Sequence, residues 1–174
     1  MNDESLRYPN GRFIHQASYS PKEVKFNIAR IEQIPERVET LIQRFGPEHW
    51  EAKYREGGWT ARQVLHHMAD SHMNAYVRCK WALTESTPVI KAYNEKAWAE
   101  TPETKLDTIF SMLLLKALHI KWTALLKALS PADLEKEFIH PDTKKNVPLD
   151  RLVALYAWHG EHHLGHLQII ANKG

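Results

Sequence analysis

The segment His159-Gly160-Glu161-His162-His163-Leu164-Gly165-His166 places four imidazoles within eight residues of an amphipathic helical pattern. Histidines four apart on a helix stand one turn above each other, where both can grip one metal ion. A second cluster, His66-His67-Met68-Ala69-Asp70-Ser71-His72, lies far upstream. The two windows hold four and three of the chain's eleven histidines, a concentration that scattered surface or pH-sensing residues would not show. If the clusters serve one site, the fold must bring two remote helices together.

The rest of the sequence supplies those helices. Ser20-Pro21-Lys22-Glu23 is a helix opening, with Ser20 as cap, proline in the first turn and Glu23 reaching back. Val24, Ile28, Ile31 and Ile34 follow at helical spacing, and Val38, Leu41 and Ile42 resume it. Pro35 is expected to kink this helix rather than end it, and Gly46-Pro47 ends it. Thr60-Ala61-Arg62-Gln63 forms a second capping box for a helix over 61–83. A third helix covers roughly 104–129, with Ile109, Leu113, Leu114, Ala117, Ile120 and Leu125 among its apolar residues. Ser130-Pro131-Ala132-Asp133 caps a short helical piece, and Asn146 and Pro148 precede a last long helix that runs to Ala171.

Convincing alternating strands, repeats and low-complexity tracts are absent, and residues 1–19 read as an irregular N-terminal arm. Four long helices in 174 residues argue for an all-α, four-helix bundle, a single domain over 1–174. The long 84–103 connection between helices 2 and 3, with Tyr93 and Trp98, is one that could cross the bundle.

Composition closes off several functions. The net charge is +2, with basic and acidic residues interspersed, so no basic block marks a nucleic-acid partner. Cys79 is the sole cysteine, which excludes an intrachain disulfide and a cysteine-rich zinc site and suits a reducing cytoplasm. The longest aliphatic run, near Met112–Leu115, is too short to span a bilayer, and no apolar signal core opens the chain; no membrane partner is expected.

At about 100° per residue, Leu149, Leu152, Tyr156, Leu167 and Ile170 define the buried stripe of the last helix. His159 and His163 lie within or beside it, His166 at its edge, and His162 and Glu161 turn away. On the earlier helix the stripe runs through Ala61, Val64, Leu65, Met68, Ala75 and Cys79. His66 points nearly opposite, toward solvent; His72 lies closest to the stripe and His67 at its margin. His67, Ser71, Asn74 and Arg78 form a continuous polar strip that suits a cleft wall. The wheel does not choose between His67 and His72. A single inward histidine is more often a hydrogen-bonded core residue than a ligand, and His72 and His119 are assigned there.

Neutral imidazoles without a cysteine ligand suit zinc, nickel, copper or ferrous iron. Three protein ligands leave a position for water or substrate, as in catalytic zinc sites. Such a cation lowers the pKa of water to about 7, and could equally activate a thiolate. The His-Glu-x-x-His metalloprotease motif is absent, and helical geometry swings Glu161 away from the ion. No general base is identified. Asp70 is a candidate to orient an imidazole, and Arg78, His162, His166 and Tyr93 are candidates to meet substrate.

These segments, together with Tyr8-Pro9-Asn10-Gly11-Arg12-Phe13 and Tyr54-Arg55-Glu56-Gly57-Gly58-Trp59-Thr60, resemble the DinB/YfiT-like superfamily, specifically its YfiT group of metal-dependent hydrolases. The resemblance implies a four-helix bundle, a homodimer and one divalent metal ion per chain, zinc or nickel, held by three histidines. The family's first ligand is a histidine followed three residues on by an acidic residue, matched by His67 and Asp70. Its His-x-x-x-His-x-Gly pattern is matched by His159, His163 and Gly165. By resemblance, then, the metal ligands are His67, His159 and His163. The expected function is hydrolysis of a small molecule by activated water. Relatives that use bacillithiol or mycothiol make thiol S-transfer the rival, and a non-enzymatic metal- or ligand-binding bundle is a third reading.

Overall fold

The computed structural model describes residues 3–173. In chain order the elements are α1 (Asp3–Arg7), α2 (Pro21–Ile42), α3 (Pro47–Glu51), α4 (Ala61–Thr84), α5 (Glu95–Trp98), a 3-10 turn (Pro102–Lys105), α6 (Ile109–Lys127), α7 (Pro131–Leu134), strands β1 (Glu137–His140) and β2 (Lys145–Pro148), and α8 (Leu149–Ala171). The long helices α2, α4, α6 and α8 build the four-helix bundle.

Two of them start where the sequence offers reciprocal caps. The Ser20 N–H donates to Glu23 Oε2 at 2.8 Å while Glu23 N–H donates to Ser20 Oγ at 3.3 Å. Thr60 and Gln63 repeat the exchange at 3.1 and 3.2 Å, so α2 and α4 each begin with otherwise unpaired backbone donors satisfied. α2 continues through Pro35. Proline has no N–H, so the carbonyl of Ile31, four residues back, lacks its helical donor. A side chain from α6 fills the gap: His119 Nδ1 lies 2.7 Å from the Ile31 oxygen.

Around the bundle, α2 packs on α6 and α8, and α4 packs on the same two. Consecutive long helices α2 and α4 therefore sit across a diagonal, as do α6 and α8. The 84–103 connection joins neighbours, not diagonal partners; the crossings are made by residues 43–60 and 128–148. That second crossing contains a β-hairpin, which the sequence reading missed: β1 and β2 pair antiparallel with Phe138 opposite Val147. Strands of four residues are too short for alternation to register against a helical background. The hairpin also holds the long connection, since Ile139 N–H donates to the Pro88 oxygen and Ile90 N–H to the Ile139 oxygen. The arm expected to be irregular carries the short helix α1.

α6 departs from expectation in another way. Its buried apolar residues are Met112, Leu115, Leu118, Trp122 and Leu126, whereas Ile109, Leu113, Leu114 and Ile120 face outward with Phe110. By length and composition α6 could cross a membrane, although its longest aliphatic run is short; here it is a wall of the bundle against α2 and α4.

The apolar core falls into two halves. One gathers Ile28, Ile31, Cys79, Trp122, Leu152 and Tyr156; the other gathers Ile34, Leu65, Met68, Met112, Leu115 and Leu167. Along α4, α6 and α8, His72, His119, His159, His162 and His163 fall in sequence between the two halves. α8 and α2 approach closely there because Gly160 has no side chain. A Cβ at that position would lie 2.8 Å from Ile34 Cγ1 and 3.5 Å from His72 Cε1. Gly160→Ala is expected to destabilise the fold by about 1–3 kcal/mol, the usual cost of overpacking. Chemical denaturation of the single variants and of Gly160→Ala with Ile34→Ala checks this: the paired change relieves the clash, so the two costs fall short of additivity.

Candidate metal centre

His67 and His159 meet across α4 and α8, their Nε2 atoms 3.3 Å apart. His163, one turn beyond His159, completes the set: one nitrogen from each ring lies within 4.8 Å of the others. Their rings contact pairwise, with centroids 4.5 to 5.4 Å apart. His67 and His163 are buried, and His159 keeps partial exposure. The three residues named by resemblance are thus brought to one point by helices far apart in sequence.

Aromatic rings and hydroxyls surround them. Trp59, on the first crossing segment, packs 4.7 Å from the His67 ring and 6.4 Å from that of His163. Ser71 Oγ lies 3.4 Å from His159 Nε2 and also 3.4 Å from the Tyr156 hydroxyl. Tyr54 stacks on His166 at 3.8 Å. Tyr54 and Trp59 belong to a segment that carried the family resemblance but no assigned role. Nothing in helical periodicity marks them, because they sit in the irregular crossing.

His72 and His119 are core residues, as assigned, and they are tied to the centre. His72 Nε2 is 3.2 Å from His159 Nδ1, and His72 Nδ1 is 2.9 Å from His119 Nε2. The wheel could not separate His67 from His72 because both point inward.

Other expectations need correction. His66 is buried, its Nδ1 2.6 Å from Ser111 Oγ, because α6 and the 3-10 turn cover the face of α4 that the wheel left to solvent. His162 is also buried. It lies against Trp158 and the arm residue Tyr8, with its Nδ1 unpartnered among the described residues. The wheel sees only one helix and missed the cover that the arm provides. Glu161 does turn away: Arg30 grips both its oxygens at 2.7 and 3.0 Å, and Arg37 joins at 3.2 Å, locking α8 to α2. The carboxylate of Asp70 hydrogen-bonds no imidazole among the described residues; the side chain of Asn74 instead donates to the Asp70 backbone oxygen. Arg78 is buried beside Tyr93, with its Nε unpartnered among the described residues, at a cleft that also includes Asn94, Glu95 and His140.

Burial holds the imidazoles neutral. Desolvation lowers His67 to about 4, with the neighbouring His166 adding to the effect. It carries His159 and His163 well below the ordinary value, reinforced by the adjacent rings. His119 and His166 are each lowered to about 4 and His162 to about 3, again chiefly by burial. Asp70 moves the other way, to about 6, through burial and the nearby Glu103. A set of neutral nitrogen donors is what a divalent cation requires.

Below about 6.5 an unfolded histidine takes up a proton that the folded one refuses, so stability present above that pH is lost as pH falls toward about 4. Asp70 opposes this, since its contribution is complete below 3.8 and lost as pH rises through about 6. Burial raises Glu95 in the same sense, but several lowered imidazoles against two carboxyls decide the direction. The thermal midpoint of metal-free protein is expected to be flat above about pH 7 and to drop steadily from about pH 6.5 to 4.5. A midpoint unchanged across that range would show that the imidazoles are not kept neutral by the fold.

A family model described as the DinB superfamily matches residues 30–167. A protein of Bacillus cereus (strain AH820) named "Putative metal-dependent hydrolase" is 45% identical over 173 residues, covering 99% of this chain and 98% of its own. The YfiT protein of Bacillus subtilis (strain 168), with the same designation, is 40% identical over 174 residues at 99% and 98% coverage. The solved structure of YfiT from Bacillus subtilis, described as a probable metal-dependent hydrolase with an unusual four-helix bundle topology, superposes with a TM-score of 0.94 over 97% of each chain. With that likeness running along nearly its whole length, the chain belongs to the DinB superfamily and, within it, to the YfiT group.

Proposed function

We propose that the protein is a metal-dependent hydrolase of a small-molecule substrate, in which His67, His159 and His163 hold one divalent metal ion per chain, zinc first and nickel as the alternative. The observation that carries this is the convergence of three neutral nitrogens from two helices on one point. The donor set fits the ion. Zinc–imidazole bonds of about 2.0–2.1 Å at tetrahedral angles set ligand nitrogens roughly 3.3–3.4 Å apart, and His67 Nε2 and His159 Nε2 stand 3.3 Å apart. The names of the relatives support the hydrolytic class.

When bound, the ion supplies a Lewis acid that makes water a nucleophile at neutral pH. The chain's own groups do the rest. Trp59 covers His67 and restricts water there, while the partial exposure of His159 leaves an approach to the centre. The hydroxyls of Ser71 and Tyr156 offer polar contacts beside His159 for orienting a substrate. Arg78 extends the polar strip along α4, and Tyr93 from the 84–103 connection lies beside it. That buried guanidinium favours a second reading, transfer from an anionic thiol of the bacillithiol type. The designation of the relatives supports hydrolysis as the first reading.

His159→Ala and His163→Ala are each expected to weaken zinc binding more than 100-fold, beyond the roughly 10–100-fold typical of losing an outer partner. Chelator competition and metal analysis of the purified variants measure this; wild-type occupancy in both would remove the site. Ester and amide panels, set beside a chlorinated electrophile with bacillithiol, separate the two reactions.

We extend the proposal to a cytoplasmic homodimer. The outer stripe of α6, with Ile109, Phe110, Leu113 and Ile120, leaves apolar surface that a second copy would cover. Sedimentation is expected to give a dimer that Phe110→Glu with Ile120→Glu converts to monomer, while a wild-type monomer would refute it.

A further inference from the structure

We infer that two imidazole relays, each ending on a backbone carbonyl, fix the tautomers of His159 and His163 so that each keeps an unprotonated Nε2 for the centre. The inference rests on the three-histidine reading above and assigns His72, His119 and His166 as positioning residues.

The first relay starts at the carbonyl of Ile31, which Pro35 leaves without a helical donor. A carbonyl oxygen only accepts, so His119 Nδ1, at 2.7 Å, must carry the proton. A neutral imidazole has one N–H. His119 Nε2 is therefore an acceptor, and His72 Nδ1, at 2.9 Å, donates to it. The same count makes His72 Nε2 an acceptor and His159 Nδ1, at 3.2 Å, its donor. His159 is left with its lone pair on Nε2, the atom 3.3 Å from His67 Nε2 and 3.4 Å from the Ser71 hydroxyl.

The second relay starts at the carbonyl of Arg7, at the end of α1. His166 Nε2 lies 3.2 Å from it and donates, which frees His166 Nδ1 to accept. His163 Nδ1, 3.3 Å away, is the donor, and its lone pair is on Nε2. Stacking on Tyr54 holds the plane of the His166 ring.

This settles a competition among the histidines. His162, His163 and His166 also cluster closely enough to hold an ion. His163 serves in both sets. With its single proton on Nδ1 it can give only Nε2, so a neutral His163 cannot join two ions. The geometry points to one ion per chain, and to His166 as a hydrogen-bond acceptor instead of a ligand.

Long-range proton–nitrogen correlation on metal-free protein at mildly alkaline pH reads the tautomers directly. Nδ1–H is expected on His72, His119, His159 and His163, and Nε2–H on His166. Nε2–H on His159 or His163 would overturn the inference while leaving the three-ligand site possible to fill. The expected tautomers in a protein that binds no zinc would support the relays and overturn the metal reading alone.

Variants supply the energetic check. His119→Phe removes the link to Ile31, and His166→Phe keeps a ring on Tyr54 but removes the acceptor for His163. Each is expected to weaken zinc binding about 10–100-fold in chelator competition, the range for outer partners of metal-bound histidines. His119→Gln, whose amide offers both a donor and an acceptor, should recover part of the loss. Folded variants with wild-type affinity, or two zinc ions per wild-type chain, would refute the assignment.

Discussion

A layer of uncharged histidines lies where the apolar core of this bundle divides in two. In a dry core an imidazole needs partners for both nitrogens, since an unpaired buried polar group costs about 1–3 kcal/mol. The bundle meets this demand largely from within. His72 joins His159 to His119, and the chain of rings ends on a carbonyl that a proline has exposed. Removing the proline's constraint, or the ring that answers it, would leave polar atoms stranded between two apolar halves. Pro35 thus acts at a distance: a missing N–H in α2 creates the acceptor on which a relay from α8 terminates.

Much of this was legible in the sequence, for definite reasons. The caps at Ser20 and Thr60 rest on local chemistry and formed as read. The inward direction of His159 and His163 follows from spacing along one helix. The tie between His67 and His72 reflects a physical fact, since both rings reach the layer and the geometry gives them different neighbours: His72 lies among core rings, while His67 lies beneath Trp59. The burial of His66 and His162 was illegible because it depends on what covers a helix. α6 covers one and the N-terminal arm the other, and neither packing is written in the helix itself.

The diagonal arrangement explains how irregular segments come to matter. When consecutive helices are not neighbours, the connection between them must travel over the end of the bundle. The crossing between α2 and α4 carries Tyr54 and Trp59 onto the histidines. Its backbone is held by the bridge between Lys53 and Thr60 and by the Ala61 N–H donating to the Ala52 oxygen. The aromatic cover is therefore set by the topology, and a bundle with adjacent consecutive helices would not require a segment to pass there.

The N-terminal arm, read as irregular from sequence, is better understood as part of the centre's support. Gly165 lets it in: a Cβ there would sit 2.7 Å from Pro9 Cγ, so the glycine reserves the space in which the arm lies on α8. Asn10 then donates to the Glu161 backbone oxygen at 2.7 Å, and the Trp158 indole donates to the Gly11 oxygen at 3.1 Å. With the arm so fixed, the carbonyl of Arg7 is held against His166, and Tyr8 closes over His162. The glycine in the His-x-x-x-His-x-Gly pattern thus has a physical reason that metal coordination alone does not supply. It admits the segment whose backbone oxygen directs the proton of His166 and, through it, that of His163.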